Sequence, residues 1–382
     1  MLLVRDIHFL KINGILYLVG SSSNHLYMNH IYQMGKISLL AWITEDNSMK
    51  TDKLVPLLQS PDIEIIELPN NLTFFEKIKK IKKFVKEADS LSIKFCFIDS
   101  FIACHYAKKF SKPYVIESGT DAFASSWYHG GGVKYKVFAY PYEQLTRYYH
   151  ATSKFIIYVS KFFLQKKYPS KAFQLGCSDT VLPDVPKNVL DIRLERINHQ
   201  QKYTLGLIGS SSVEYRGHDT LIYVLSELRK RGHDITVRFA GSKSGINKRT
   251  KLSKSLGIND FVSFDGYMTQ EEIFNWIDEI DILVMPTLQE TLGRAVIEAM
   301  SRGCPVIGSA ETALPEQIGS DCIAPARNVK AIADIIENMI INKTYMKLCA
   351  IENYWRAKKY SNEITNNLRK DFYDEFYRRN GL

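Results

Sequence analysis

Long apolar runs are missing from this sequence. None approaches the roughly eighteen residues that a membrane-spanning helix needs, so no such helix is expected. The first residues, MLLVRDIHFLKING, are broken by charge and lack the apolar centre of a secretory signal, which points to the cytoplasm. The six cysteines are scattered, with no CxxC pair, and read as thiols in a reducing compartment. The nine histidines show neither HxxxH nor HExxH spacing, so no built-in metal and no resident cofactor is expected. No GxGxxG follows an apolar run, which argues against a dinucleotide dehydrogenase. Zinc-finger spacing, an RRM signature and an arginine-rich tail are also missing, so nucleic acid is not expected as a partner.

What is present is ordinary in bulk and specific in places. At 382 residues the chain is too long for one ordinary core, and two domains are expected. Apolar residues make up 45% and charged residues 24%, the balance of a soluble globular protein. The formal charge of +9 suits an anionic partner, either a lipid surface or a phosphorylated substrate.

The stretch from Asp281 to Ser309, DILVMPTLQETLGRAVIEAMSRGCPVIGS, organises the chain. An apolar run, Ile282 to Met285, is followed by a polar loop, a helix-period segment, a Gly303-Cys304-Pro305 turn and a second apolar run at Val306-Ile307. That is strand, helix and strand within about thirty residues, the size of a βαβ unit. Neither strand alternates, as expected of buried parallel strands. Glu290 stands in the loop, and Glu298 lies roughly two helical turns along. Leu292-Gly293-Arg294 falls where the helix begins. A helix start offers free N–H groups and a positive dipole end, which suits phosphate, and Gly293 lets the backbone come close. On spacing alone Glu298 is either a ligand-reaching acid or an exposed helix residue.

Glu290-Thr-Leu-Gly293, then Ala295-Val-Ile-Glu298-Ala299-Met300 and Gly303-Cys-Pro305-Val306, resemble the E-x7-E segment of retaining GT-B glycosyltransferases of family 4, the glycosyl transferases group 1 that build polysaccharides and glycolipids. In the other half, Tyr158-Val159-Ser160, Leu164-Gln165 and Tyr168-Pro169 are similar to a segment of members that assemble capsule or O-antigen polysaccharide. The resemblance implies a GT-B fold: α/β, with two Rossmann-like doubly wound domains facing a central cleft and a C-terminal helix crossing back to the N-terminal domain.

In chain order, Arg5–Ile12 and Ile15–Val19 flank Asn13-Gly14, a hairpin signal. The second of these runs, read as the first parallel strand, opens into Gly20-Ser21-Ser22-Ser23-Asn24 and a helix to about Met34. Here the relatives often carry a glycine-rich loop, and Ser21 lines the strand end. Strands are expected at Ile37–Ile43, Glu64–Leu68, Ile93–Asp99 and Lys112–Ser118. The helix Glu76–Glu87 sets Ile78, Ile81 and Val85 on one face and lysines, Lys77, Lys80 and Lys83 among them, on the others. It reads as a surface helix packed on a sheet, or as an interfacial helix on anionic headgroups. Gly119, Thr120 and Asp121 follow a strand end, where open sheets gather ligands; Asp121 reads equally as a helix cap. Trp127–His150 reads as a mobile loop around Gly130-Gly131-Gly132 plus a helix near the acceptor. His129 there is a cleft base or donor, or merely structural.

A prolyl and polar stretch, Leu182 to Gln201, marks the domain boundary. The expected domains are residues 1–190, acceptor-binding and joined by a last helix at about 360–382, and 200–358, nucleotide-sugar-binding. The second domain alternates strand and helix from Thr204 onward, which makes both halves doubly wound.

A departing diphosphate gains charge in the transition state, so preorganised cations and N–H donors accelerate transfer. By resemblance, an Arg directly after the glycine of the first strand and a Lys six residues on serve this end. Here Gly209 is followed by Ser210, and Arg216 stands at the second place; Arg294 compensates for the missing charge. The resemblance further implies that Glu298 binds the ribose hydroxyls, Glu290 orients the donor sugar, and Gly293, Arg294 and Ala295, after Leu292, present N–H groups to phosphate. The base lies near Gly266-Tyr267-Met268. No divalent cation is required. The implied partners are a nucleotide-sugar donor, a glycan or lipid-linked acceptor, and an anionic membrane surface on the inner face of the cytoplasmic membrane. The competing readings are a GT-B enzyme with a soluble acceptor, and a glycan- or lipid-binding relative without turnover.

Overall fold

The computed structural model describes residues 1–18, 34–47, 57, 61–95, 97–128 and 132–382. Ser21, most of the helix expected to Met34, and His129 with Gly130 and Gly131 lie outside the described residues.

The chain divides into two compact units. The first comprises Met1–Phe123, Val137–Asp179 and Glu363–Leu382; the second comprises Ala124–Lys136 and Thr180–Asn362. The division thus falls before the prolyl stretch that marks it in the sequence. The helix Val189–His199 explains the difference. Its buried Arg193 donates to the carbonyl oxygens of Ile280 and Ile277 at 2.5 and 2.8 Å, and Arg196 pairs with Asp281 at 2.9 Å, which ties residues before 200 to the second unit.

The first unit is built on strands β1 (Leu2–Ile12), β2 (Ile15–Leu18), β3 (Ile37–Glu45), β4 (Ile63–Pro69), β5 (Leu91–Phe95), β6 (Tyr114–Ser118), β7 (Phe155–Tyr158) and β8 (Phe173–Gly176). Their order is β4-β3-β1-β5-β6-β7-β8, with β2 paired to β1. Asn13 at φ 48° and Gly14 at φ 82° take the left-handed turn of a tight hairpin, so β2 runs antiparallel to β1. The first parallel strand is therefore β1, not the Ile15 run that the sequence suggests. Likewise β5 stops at Phe95, and Ile98 and Asp99 open the helix Ile98–Lys109. The Asp99 carboxylate accepts from Trp42 Nε1 at 2.9 Å, a bond that holds it at the helix start. The segment expected as loop plus helix is two helices, Ala122–Tyr128 and Val133–Thr152, the latter with Pro141 inside it.

The last helix, Asn362–Asn380, packs on the first sheet: Phe372, Tyr373 and Phe376 join Leu3, Phe9, Leu39 and Ile157 in one core. A buried polar network reinforces it. Arg5 donates to both Glu117 oxygens at 3.0 and 2.7 Å, and Ser92 and Tyr373 hydroxyls donate to Oε1 at 2.6 and 3.0 Å.

The second unit carries β9 (Tyr203–Ile208), β10 (Ile235–Ala240), β11 (Val262–Gly266), β12 (Ile282–Met285), β13 (Val306–Ser309) and β14 (Ile323–Ala324), all parallel, in the order β11-β10-β9-β12-β13-β14. Every residue of β12 and β13 is buried, as their unbroken apolar character requires. The chain runs outward from β9 to β11, then returns to β12 on the other side of β9. The strand order therefore reverses between β9 and β12, the place where open α/β sheets bind ligands at the carboxyl ends of their strands.

Candidate functional site

The two loops that leave β9 and β12 are locked together at this reversal. Thr287 Oγ1 and the Leu288 N–H both donate to the Tyr215 carbonyl, at 3.1 and 2.8 Å. Gly217, at φ 84°, lies so close that a Cβ there would stand 2.3 Å from the Pro286 carbonyl oxygen; only glycine fits. This contact aims the neighbouring Arg216 at Glu290. Its Nη1 donates to Glu290 Oε2 at 2.6 Å, and the guanidinium lies 5.3 Å from the Tyr215 ring centre. Both partners are mostly withdrawn from water.

Burial raises the Glu290 carboxyl above the usual carboxylate range, while Arg216, Arg294 and the Leu292 N–H oppose the shift. The helix Arg294–Ser301 follows, with Gly293 at its N-cap and no side chain capping it. The Arg294 N–H donates to the Leu292 carbonyl at 2.9 Å, so this helix start offers an anion its dipole end and the N–H groups on either side of Arg294. Glu298 lies on this helix, and burial pushes its carboxyl up to about 7 against the pull of Arg294. The exposed Arg294 therefore acts on both acids.

Gly293 has a packing reason as well. A Cβ there would stand 2.5 Å from Leu314 Cδ2 and 2.7 Å from Gln317 Oε1. Gln317 is 3% exposed, and neither polar atom of its amide has a partner among the described residues.

The ends of β9, β10 and β11 lie in a row beside Arg216. The Gly209 N–H donates to Ala240 O and the Gly241 N–H to Gly266 O, both at 2.8 Å. The Arg216 side chain runs along Gly209, where a Cβ would be 3.4 Å from its Cδ. Ser210 Oγ is bonded to Ser212 Oγ at 2.8 Å and carries no charge. The Lys243 stem lies over Gly266, while the Tyr267 ring is exposed. The structure thus brings Gly209, Ser210, Arg216, Glu290, Leu292, Gly293, Arg294, Ala295 and Glu298 to one end of the second sheet.

In the first unit, Gly119, Thr120 and Asp121 follow β6. Asp121 is buried, pairs with Lys167 and directly precedes the helix Ala122–Tyr128. His150, absent from the sequence reading, bonds Ser118 Oγ through Nε2 at 2.9 Å and Thr146 O through Nδ1 at 2.8 Å; burial lowers its pKa to about 4, so it is neutral. Also unforeseen is a cavity of about 530 Å³ in the second unit, lined by Trp127, Tyr128, Lys136, Glu214, Tyr215 and Arg327 among others. Its signal in the sequence is weak, because Trp127 and Arg327 are far apart along the chain. Lys80 and Lys83 are exposed, but Lys77 is half-buried with its ammonium 4.1 Å from the Trp42 ring centre, so it is not offered to a surface. Among the described residues no three His, Cys, Asp or Glu side chains converge to hold a metal, and no helix is long and apolar enough to cross a membrane.

The profile of the family described as glycosyl transferases group 1 matches residues 202–342. Protein CapJ of Staphylococcus aureus is 28% identical over 307 residues, 79% of this chain and 76% of CapJ. Among solved structures, HepE of Anabaena in complex with UDP-glucose superposes with a TM-score of 0.67 at 14% identity, over 98% of this chain and 99% of its own. Sucrose-phosphate synthase of Thermosynechococcus elongatus does so with 0.65 at 16% identity, over 99% of both. Residues 202–342 therefore form a glycosyl transferases group 1 domain, and the chain has the fold of GT-B glycosyltransferases, two Rossmann-like α/β units with parallel sheets.

Proposed function

We propose that this chain moves a sugar from a nucleoside-diphosphate sugar to a glycan or lipid-linked glycan acceptor, with retention of the anomeric configuration, in cell-surface polysaccharide synthesis. One observation carries the reading. The Arg216–Glu290 pair, at 2.6 Å, spans the strand-order reversal beside an uncapped helix start whose own helix bears Glu298. A diphosphate set on the helix start meets N–H groups at Gly293 and Ala295, and that of Arg294 in exchange for its bond to the Leu292 carbonyl, with Arg216 and Arg294 as its cations. Glu298 accepts from the ribose hydroxyls, and Glu290 orients the sugar. The bond from the anomeric carbon to phosphate breaks as the bond to the acceptor hydroxyl forms on the same face. The acceptor proton passes to the leaving phosphate oxygen. Negative charge grows on the diphosphate in this step, so the two arginines act more strongly on the transition state than on the bound donor. No divalent cation is called for, because these groups supply its charge.

Retention and family 4 membership rest on the E-x7-E likeness. The UDP-glucose bound by HepE supports a nucleotide-sugar donor in general and leaves the base of this one open. The +9 charge and the exposed Lys80 and Lys83 support a site of action on the inner face of an anionic membrane. Ser210, where a cation is expected, favours a second reading, a glycan-binding relative without turnover. Incubation with UDP-, GDP- and ADP-sugars in the absence of metal separates the two. Release of one nucleoside diphosphate, lost in Glu298→Ala, supports the transferase. Absence of both release and nucleotide binding supports the second reading.

A further inference from the structure

The bond that closes the helix start at Arg294 sets a condition on any ligand there. Gly293 has φ −73° and ψ 76°, the centre of an inverse γ-turn, and the Arg294 N–H donates back across it to the Leu292 carbonyl at 2.9 Å. A phosphate oxygen that takes this N–H breaks the turn. The Leu292 carbonyl then loses its partner at a residue that is 6% exposed, and a buried carbonyl without a partner is unfavourable.

A donor stands behind the turn. The Ala313 N–H donates to the Glu290 carbonyl at 2.9 Å, and the short turn Leu314–Glu316 follows, so Leu314 and Gln317 lie against Gly293. A Cβ on Gly293 would stand 2.7 Å from Gln317 Oε1. The Leu292 carbonyl carbon is bonded to the Gly293 nitrogen, so this carbonyl and the Gln317 amide flank the same residue. Both polar atoms of the amide are buried, and neither has a partner among the described residues. A side-chain amide carries two N–H donors, and leaving them unused in the interior is unfavourable unless another arrangement of the same site uses them.

We infer that Gln317 is a positioning residue for the donor diphosphate: when phosphate takes the Arg294 N–H, the Gln317 amide donates to the released Leu292 carbonyl and holds the helix start open. The inference rests on the donor site proposed above. Bonds are exchanged one for one. The Arg294 N–H passes from carbonyl to phosphate, and the carbonyl passes from Arg294 to Gln317. The amide itself does not touch the ligand, because its polar atoms are withdrawn from the surface. With an apolar residue at 317 the carbonyl has no second partner, so the γ-turn competes with the ligand for the Arg294 N–H and shifts the equilibrium away from binding.

The test is titration of UDP, GDP and ADP into wild type and Gln317→Met, followed by calorimetry and by magnetic resonance of protein labelled at arginine and glutamine nitrogen. Methionine keeps the unbranched shape and the packing without the donor. Gln317→Met is expected to bind the preferred nucleotide on the order of tenfold more weakly. Without nucleotide it is expected to melt at or above the wild-type temperature, because the buried amide it removes has no partner there. In wild type, saturating nucleotide is expected to move the Arg294 backbone and Gln317 side-chain N–H resonances together. Equal affinity in the two proteins, or a Gln317 resonance that stays in place at saturation, overturns the inference and leaves the donor site standing. A melting temperature that falls in Gln317→Met shows that the amide is already bonded without nucleotide, and likewise overturns it. If wild type binds none of the three nucleotides, the donor site falls and the inference falls with it.

Discussion

Replacing Arg216 separates a structural role from a chemical one. The pair it forms with Glu290 is 2.6 Å long, with side chains 28% and 15% exposed. Removing one partner of a fully buried pair costs about 3–5 kcal/mol, because the other charge is left stranded; partial exposure of Arg216 brings the cost here down to roughly 1–3 kcal/mol. Arg216→Ala is therefore expected to lower stability by that amount near pH 8, measured by urea denaturation. The loss shrinks as pH falls, since an unpaired Glu290 takes up a proton more readily than the paired one. Glu290→Gln in the same chain removes the stranded charge and should restore most of the stability. Turnover follows a different course. Loss of one preorganised donor to a developing oxyanion costs about 10²–10³ in kcat, and Glu290→Gln cannot replace it. The double variant should thus be stable and still slow in single-turnover assays of nucleoside diphosphate release. If Arg216→Ala keeps wild-type turnover, or if the double variant recovers it, Arg216 does not serve the leaving diphosphate.

Four further outcomes are expected. Glu298 titrates near 7 in the folded chain, above its unfolded value, so the folded state binds the extra proton between those two values and stability falls as pH rises through that window; Glu298→Gln should melt higher than wild type at pH 8 and lose the difference near pH 4. The same ionisation should weaken nucleotide binding as pH drops below about 7, a dependence that Glu298→Gln removes, read by titration calorimetry. Gly293→Ala should cost on the order of 1–3 kcal/mol in stability, because its Cβ would press within 2.5 Å of Leu314 Cδ2; a variant that melts as wild type would show that the loop yields freely. Glu117→Ala strands Arg5, which is 3% exposed, and should cost roughly 3–5 kcal/mol by chemical denaturation, since Arg5 holds the Glu117 carboxyl far below its usual range.

The organising unit was readable because it is local. Strand, helix start, Glu298 and second strand follow one another, and each leaves a pattern of burial or punctuation within a few residues. The contact between Arg216 and Glu290 was not, because 74 residues separate them and only the return of β12 to the side of β9 brings them together. Gln317 and Arg327 escaped for the same reason. Lys77 reads as outward because helical periodicity counts faces but does not know that Trp42 of β3 lies beneath it and draws its ammonium over the ring. The early end of β5 and the shifted division between the units depend on Asp99 and Arg193, buried polar side chains whose partners lie far along the chain. Sequence pattern records apolar periodicity well and long-range polar pairing poorly.

The central claim is that a nucleoside diphosphate sits on the helix start at Gly293 and is gripped by Glu298. Calorimetric titration of UDP, GDP and ADP into wild type and Glu298→Gln at pH 8, without metal, tests it most directly. Saturable binding of one of the three is expected, at least tenfold weaker in the variant, a loss of about 1.4 kcal/mol or more. Equal binding by both proteins, or no binding of any nucleotide by wild type, contradicts it.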